Sequence, residues 1–146
     1  MPVDLTLKRQ VCFALYSASR AVTGYYRPLL DPLGLTYPQY LVMLVLWEHG
    51  ECSVKDLGTE LMLDSGTLSP LLKRLEAAGL VTRRRYPADE RSVLVRLTSR
   101  GDDLRHKATT IPIDVAGASG LAPRELAELR DTLTALTQSM LRSTPE

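Results

Sequence analysis

The sequence has few residues of the kinds that bind metals or form disulfides. Its 146 residues include two cysteines and two histidines, and neither histidine occurs in the spacing of a metal-binding motif. Cys12 and Cys52 do not form a Cys-x-x-Cys pair. A reducing compartment would keep both as thiols, so a structural disulfide is not expected. The sequence thus predicts no metal site and no cofactor.

The sequence also lacks a long apolar segment and a strong net charge. No apolar run approaches the roughly 20 residues that a membrane-spanning helix needs. Asp4, Lys8 and Arg9 stand too close to the first apolar segment for a signal peptide, and no small-residue cleavage site follows. We therefore expect a cytoplasmic protein that does not contact a membrane. The net charge of +1 indicates no particular class of partner.

Apolar residues at helical spacing run through most of the chain and predict a mainly α protein. The first helix should extend from Leu5 to about Leu30, where Pro32 and Gly34 end it, and the segment TYPQY should begin the second helix. The length fits a single domain, 1–146. Three segments are expected within it, at 5–50, 51–98 and 99–146.

The middle segment, 51–98, has the pattern of a helix-turn-helix followed by a β-hairpin wing. Asp64 is the candidate N-cap of the second helix, and Gly79 should end that helix. The buried side chains of this helix should be its leucines at helical spacing, Leu68, Leu71, Leu72 and Leu75. The run LVTRRRYPADERSVLVRLT then predicts the hairpin, with a charged tip at 86–91.

Further helices should follow the wing in the last segment, 99–146. Thr98 should cap one helix that runs to roughly Thr110. Pro112, Gly117 and Gly120 should interrupt the chain after it, and a last helix should begin near Pro123.

Positive charge is concentrated in the helix-turn-helix and the wing. Residues 64–98 carry seven basic and four acidic side chains, a net charge of +3 in a chain of +1. Contacts with DNA phosphates need such a concentration, because counterion release scales with the number of phosphates met. The candidate DNA-contacting residues are hydroxyls and cations of the second helix and arginines of the wing: Ser65, Thr67, Ser69, Lys73, Arg74, Arg83, Arg84, Arg85 and Arg91. The alternative is that the basic run is a solvated face.

Arg91, at the tip of the wing, has a more specific candidate role. A narrow minor groove attracts an inserted arginine strongly, and Arg91 is the residue best placed for it. The alternative for Arg91 is an ion pair with Asp89 or Glu90.

These motifs resemble a known family. The stretches DSGTLSPLLKRLEAAGLVTRRR and DERSVLVRLTSRG resemble the MarR family of winged-helix repressors. The stretches QVCFALYSASR, YYRPLLDPLGLTYPQYLVMLVLWEH and LDSGTL resemble one branch of it, the organic hydroperoxide resistance regulators (OhrR). The resemblance spans Leu7 to about Ile113. It implies a repressor that binds a double-stranded DNA operator as a homodimer, with the first and last helices forming the dimer interface.

Cys12 is the residue on which the function of this branch would depend. A lone cysteine in an apolar helix is usually a small core residue. However, Tyr16, Ser19, Thr23 and Tyr26 share its helix face, and the chain has six tyrosines but one phenylalanine. A phenol offers a hydrogen bond that phenylalanine cannot. The pattern therefore leaves two interpretations open, a core thiol and a redox-sensing thiol.

Helix geometry limits which tyrosines can reach Cys12. Tyr26 follows Cys12 by fourteen residues on the same helix, a distance of roughly 21 Å. Tyr26 could contact Cys12 only from a partner chain, if the two first helices cross antiparallel about a two-fold axis. The resemblance implies this arrangement, with Tyr26 and Tyr37 bonded to the sulfur and Tyr16 nearby. The alternative for these tyrosines is simple interface packing.

The expected function is a repressor that senses organic hydroperoxides by oxidation of Cys12 to sulfenic acid and then releases its operator. No cysteine follows Cys52, so the chain corresponds to the one-cysteine type of the branch, in which a low-molecular-weight thiol closes the cycle. Cys52 would then be a loop thiol of no consequence, with a resolving role as the alternative.

Three other functions remain open from the sequence. A repressor of the same fold induced by a small phenolic ligand would not need Cys12. A thiol peroxidase would turn over peroxide repeatedly, and the missing resolving cysteine argues against this enzyme. A dimeric adaptor without DNA affinity would leave the basic wing unexplained.

Overall fold

The computed structural model describes residues 3–86 and 89–145, apart from the side chains of residues 86 and 89–91. The chain divides into two compact units, Met1–Thr109 and Thr110–Glu146. The first unit contains five helices, α1 (Val11–Leu30), α2 (Tyr37–His49), α3 (Val54–Leu61), α4 (Ser65–Ala77) and α5 (Ser99–Ala108). Its strands are β1 (Glu51–Ser53), β2 (Val81–Tyr86) and β3 (Asp89–Leu97). The second unit contains α6 (Ile111–Ala118) and α7 (Pro123–Ser143). The prediction of a mainly α fold with a β-hairpin wing is confirmed.

Helix α1 begins six residues later than the sequence pattern predicted. The chain before it forms a 3₁₀ turn at Leu7–Arg9, and Gln10 is extended. Asp4 stabilises this turn, because its Oδ1 accepts from the Thr6 N–H at 2.9 Å and its Oδ2 from Arg9 Nη1 at 2.7 Å. The apolar periodicity did not reveal this polar contact. Helix α1 ends at Leu30, as predicted. A second 3₁₀ turn follows it at Asp31–Leu33, and Gly34 then takes a φ of 70°.

Helix α2 lies at the centre of the first unit. A capping box starts it, in which Gln39 N–H donates to Thr36 Oγ1 and Thr36 N–H donates to Gln39 Oε1. Six of its 13 residues are buried: Gln39, Tyr40, Val42, Met43, Leu46 and Trp47. The indole of Trp47 donates to the carbonyl oxygen of Gly101 at 2.9 Å, which ties α2 to the first turn of α5.

The helix-turn-helix consists of α3 and α4, as predicted. Asp64 Oδ1 accepts from the Thr67 N–H at 2.7 Å, and this bond holds the pKa of Asp64 below its usual value. Met62 takes a left-handed conformation at a φ of 56° between the helices, and Gly79 follows α4 at a φ of 77°. All four predicted leucines of α4 are buried: Leu68, Leu71, Leu72 and Leu75.

The sheet has one strand more than the predicted hairpin. Strands β2 and β3 form the wing, and β1 pairs with the other edge of β3, with Cys52 opposite Val95. Cys52 therefore lies in a strand, which corrects the expectation of a loop thiol. A three-residue strand between Gly50 and the start of α3 has too few residues to show an alternating pattern. The predicted charged tip, 86–91, falls largely outside the described residues.

The region after the wing contains a helix, α6, that was not predicted from the sequence. Thr98 caps α5 as predicted, by accepting from the Gly101 N–H at 3.0 Å. Pro112 and Gly117 were expected to interrupt the chain, but both lie within α6. Proline is tolerated in the first turn of a helix, where no intrahelical donor is lost. The last helix, α7, begins at Pro123 as predicted.

Among the described residues, no helix taken alone combines the length and apolarity needed to cross a membrane. One pair of helices, Val11–Leu33 and Tyr37–His49, reaches that length and apolarity when the two are taken together, and the pair is bent by 67°.

Gly101 should be intolerant of any side chain. A Cβ there would collide with the backbone carbonyl of Leu80 and come within 3.2 Å of the Leu97 Cδ2. We expect Gly101→Ala to lower the free energy of unfolding by about 1–3 kcal/mol or more, measured by urea denaturation. Gly117→Ala is the matched control, because nothing lies within 4 Å of its added Cβ. That change should be neutral or stabilise the protein by up to roughly 1 kcal/mol, since alanine favours a helix. Equal effects of the two changes would contradict this prediction.

Candidate functional site

The second helix of the helix-turn-helix, α4, presents polar side chains at its N-terminal half. Ser65 and Thr67 are exposed, Ser69 is half-buried, and Lys73 and Arg74 are exposed further along the helix. Asp64 already occupies the Thr67 N–H, so the hydroxyls rather than that backbone donor are the groups available to a ligand. The five predicted residues of α4 therefore belong to one element whose leucine face is buried.

The arginines of the wing differ in their surroundings. Arg84 and Arg85 are exposed on β2. Arg83 is partly buried, and its Nη2 donates to Glu76 Oε1 of α4 at 3.1 Å. This contact lowers the pKa of the Glu76 carboxyl. The side chain of Arg91 lies outside the described residues, so its predicted role at the tip is untested.

A groove of about 760 Å³ lies where α3, α4 and the wing meet. Its polar lining includes Lys55 and Thr59 from α3, Ser65 and Ser69 from α4, and Arg83 from β2. Cations and hydroxyls are the side chains that hold phosphate and sugar groups in protein–DNA complexes. The arrangement thus provides one polar, positively charged depression shared by both parts of the predicted DNA-binding surface.

Cys12 lies in the first turn of α1 and is exposed. Helix α1 is rich in apolar residues, yet only Leu30 of its 20 residues is buried. Val11 and Tyr16 are 73% and 61% exposed, and Phe13 and Leu15 are 41% and 39% exposed. The interpretation of Cys12 as an ordinary core thiol of its own chain is therefore wrong. The ring of Tyr16 lies beside Arg20, whose Cζ is 5.7 Å from the ring centre.

Tyr26 and Tyr37 come together at the other end of α1, with Tyr40 as a third member. The ring centre of Tyr26 lies 4.7 Å from that of Tyr37 and 5.7 Å from that of Tyr40. The ring centres of Tyr37 and Tyr40 are 6.3 Å apart. Burial raises the pKa of all three phenols, that of Tyr26 to about 12 with added contributions from Tyr37 and Tyr40. Tyr40 was not among the tyrosines predicted for the site, although its spacing of three from Tyr37 places both on one side of α2.

The second thiol, Cys52, has different surroundings. It is half-buried in β1, and burial raises its pKa, with Asp56 and Glu60 adding to the effect. A raised pKa reduces the thiolate fraction, which is the reactive form. In the described part of the chain, no group of three or more His, Cys, Asp or Glu side chains could hold a metal ion.

A second groove, of about 510 Å³, lies between the C-terminal half of α1 and the start of α2. Arg20, Thr23 and Arg27 line it from α1, and Tyr37 lines it from α2. Asp31 also lines the groove, so its charged side chains are two guanidinium groups and one carboxylate, a net charge of +1. This balance favours a small acidic molecule.

Comparison with known proteins identifies the family. The family model described as the MarR family matches residues 35–93. The organic hydroperoxide resistance transcriptional regulator of Bacillus subtilis (strain 168) is 48% identical over 136 residues, which cover 93% of this chain and 92% of that protein. The chain belongs to the MarR family. The resemblance found in the sequence is thereby confirmed.

Two solved structures support the same fold for this MarR-family protein. The structure of reduced AbfR bound to DNA is 34% identical, with a TM-score of 0.78, and the match covers 92% of this chain and 94% of that one; AbfR is from Staphylococcus epidermidis. BpsR of Bordetella bronchiseptica is 27% identical with a TM-score of 0.78, over 88% of this chain and 99% of that one. The protein is a DNA-binding transcription regulator with a winged-helix fold.

The raised pKa of Tyr26 should be visible in an alkaline titration. In the native protein Tyr26 should lose its proton near pH 12, whereas in the unfolded chain it should do so near pH 10. The protonated phenol is therefore favoured by folding, so its contribution to stability is complete below pH 10 and is lost as pH rises through about 12. Phenolate absorbance should show a late step in the native protein that is absent in urea. Tyr26→Phe should remove the part of that step near pH 12, whereas Tyr37 and Tyr40, whose pKa values are also raised, should still titrate late. A titration unchanged by this substitution would contradict the assignment.

Proposed function

We propose that this MarR-family regulator is a dimeric repressor that releases its operator when an organic hydroperoxide oxidises Cys12. The observation that carries the proposal is the position of Cys12. It is an exposed thiol on an apolar helix that its own chain leaves uncovered. At the opposite end of that helix, the half-buried Tyr26 packs against the half-buried Tyr37 of α2. The name of the Bacillus subtilis relative supports the same function.

The operator would be held by both parts of the winged helix-turn-helix. The exposed hydroxyls and cations of α4 would enter the major groove, and the wing would follow the neighbouring phosphates. The residues proposed to contact DNA are those predicted from the sequence, Ser65, Thr67, Ser69, Lys73, Arg74, Arg83, Arg84, Arg85 and Arg91. The structure of reduced AbfR bound to DNA supports this use of the fold.

A two-fold dimer would complete the sensor. An apolar 20-residue helix with one buried side chain needs a cover, and a second copy of α1 offers a matching apolar face. If the two copies cross antiparallel, Cys12 of one protomer meets Tyr26 and Tyr37 of the partner. Both phenols stay neutral below pH 10 because burial raises their pKa, so both can donate to a thiolate.

The proposed chemistry oxidises the sulfur of Cys12 in one step and caps it in a second step. The Cys12 thiolate attacks the terminal oxygen of the hydroperoxide, the O–O bond breaks, and the products are the sulfenic acid and an alcohol after proton transfer. A low-molecular-weight thiol then condenses with the sulfenic acid to give a mixed disulfide and water. A change of about 3–4 kcal/mol in operator affinity would weaken binding several-hundred-fold.

A second candidate is a repressor induced by a small acidic ligand in the groove that Arg20, Arg27 and Tyr37 line. BpsR supports this alternative, because its DNA binding is described as regulated by 6-hydroxynicotinic acid. Such a repressor would not need a reactive thiol, so substitution of Cys12 separates the two candidates.

Operator affinity before and after treatment with cumene hydroperoxide tests the proposal. The wild type should lose affinity several-hundred-fold, and Cys12→Ser should bind equally well with and without the hydroperoxide. Cys52→Ser is the matched control and should respond like the wild type, because the half-buried Cys52 has a raised pKa. Full release from the Cys12→Ser variant would contradict the redox proposal.

Heterodimers test whether the tyrosine acts from the partner subunit. Tyr26→Phe should slow the oxidation of Cys12 by roughly tenfold, because a hydrogen bond to a charged group is lost. In a heterodimer of Cys12→Ser with Tyr26→Phe, the remaining Cys12 faces an intact Tyr26 of the partner subunit only in the crossed arrangement. Its oxidation rate should then equal that of the wild type. A rate as slow as in the Tyr26→Phe homodimer would place the phenol and thiol on one chain.

A further inference from the structure

An ion pair joins the recognition helix to the wing. Glu76 lies in the last turn of α4 and Arg83 in the first half of β2. Arg83 Nη2 donates to Glu76 Oε1 at 3.1 Å, and the two side chains are 26% and 41% exposed. This contact joins the two elements that carry the proposed DNA contacts, the recognition helix α4 and strand β2 of the wing.

The conformation of Arg83 leaves one of its donors unsatisfied. Within the described residues, its Nε is buried and has no hydrogen-bond acceptor. A buried donor without an acceptor is costly, so an arginine leaves such a conformation unless another contact holds it. The carboxylate of Glu76 supplies that contact, and the lowered pKa of Glu76 shows that the pair is charged at neutral pH.

Arg83 in this conformation lines the groove of about 760 Å³ beside Ser65 and Ser69 of α4. The guanidinium and the hydroxyls of the recognition helix thus border the same depression. We propose that Glu76 is a positioning residue for DNA binding, which holds the guanidinium of Arg83 where a phosphate can meet it together with the hydroxyls of α4. The inference rests on the DNA-contacting role of Arg83 in the proposed function.

Glu76 could instead weaken DNA binding. A carboxylate beside Arg83 could compete with phosphate, and its removal would then strengthen binding. The salt dependence of operator affinity separates the two effects, because log K falls against log salt with a slope of about −0.9 for each phosphate neutralised.

The experiment measures operator affinity at several salt concentrations for the wild type, Glu76→Gln, Arg83→Gln and the double variant. Glu51→Gln is the matched control. Glu51 also pairs with an arginine of the sheet, Arg96 at 2.7 Å, but it lies on β1, the strand at the opposite edge from β2. Glu76→Gln and Glu51→Gln each remove one negative charge and one ion pair. The thermal unfolding of every variant is measured alongside.

We expect Glu76→Gln to weaken binding about three- to tenfold. Its plot of log K against log salt should also be less steep, by roughly the slope that one phosphate contact contributes. Arg83→Gln should have the same effect on the slope, and adding Glu76→Gln to it should weaken binding no further. Glu76→Asp, which keeps a carboxylate, should recover part of the lost slope. Glu51→Gln should leave the slope unchanged.

Three results would overturn the inference. The first is tighter binding by Glu76→Gln, which would make Glu76 a competitor of phosphate. The second is a loss that persists in the Arg83→Gln background, and the third is a loss that Glu51→Gln reproduces. Release by hydroperoxide is measured separately on the wild type, so failure of the redox proposal would not be mistaken for failure of this one.

Discussion

The uncovered apolar face of α1 is the constraint on which the proposed sensor depends. The helix has 20 residues and buries one of them within its own chain, and Cys12 and Tyr26 lie roughly 21 Å apart along it. No bending of a single helix could bring that thiol and that phenol together. Covering the face with a second copy would remove apolar surface from water and join the two groups at the same time. Dimer stability and thiol chemistry would then be linked through one surface.

The DNA-binding half depends on a different kind of contact. Helix α4 is fixed by four buried leucines and capped by Asp64, so its exposed hydroxyls and cations have a rigid support. In the wing, Arg84 and Arg85 are exposed on β2, whereas Arg83 is partly buried. Glu76 and Arg83 connect the two. A shift of α4 caused by oxidation would therefore move part of the wing with it, because an ion pair with a partly buried arginine resists separation.

Features with strong local signals could be predicted from the sequence. The leucines of α4, the caps at Asp64 and Thr98, and the hairpin of β2 and β3 each follow from a few neighbouring residues, and all are confirmed. The missed features depend on contacts that no local pattern contains. Strand β1 exists because β3 offers an edge to Glu51–Ser53, and α1 starts late because Asp4 binds Thr6 and Arg9. Of the site, Tyr26 and Tyr37 lie together, but their bonds to Cys12 of a partner chain stay a prediction. Tyr40 became visible as a third member only when the rings were placed in space.

The tyrosine cluster suits a thiolate better than a sulfenic acid in the proposed dimer. A thiolate only accepts hydrogen bonds, and phenols that burial keeps neutral are donors over the whole physiological pH range. Oxidation adds an oxygen and gives the group a proton of its own, so one of its bonds must now be a donated one. Tyr26 and Tyr37 pack within 4.7 Å of each other, and Tyr40 lies behind them with 2% of its surface exposed. Because close-packed rings leave little room for an added atom, the helices rather than the rings would have to move.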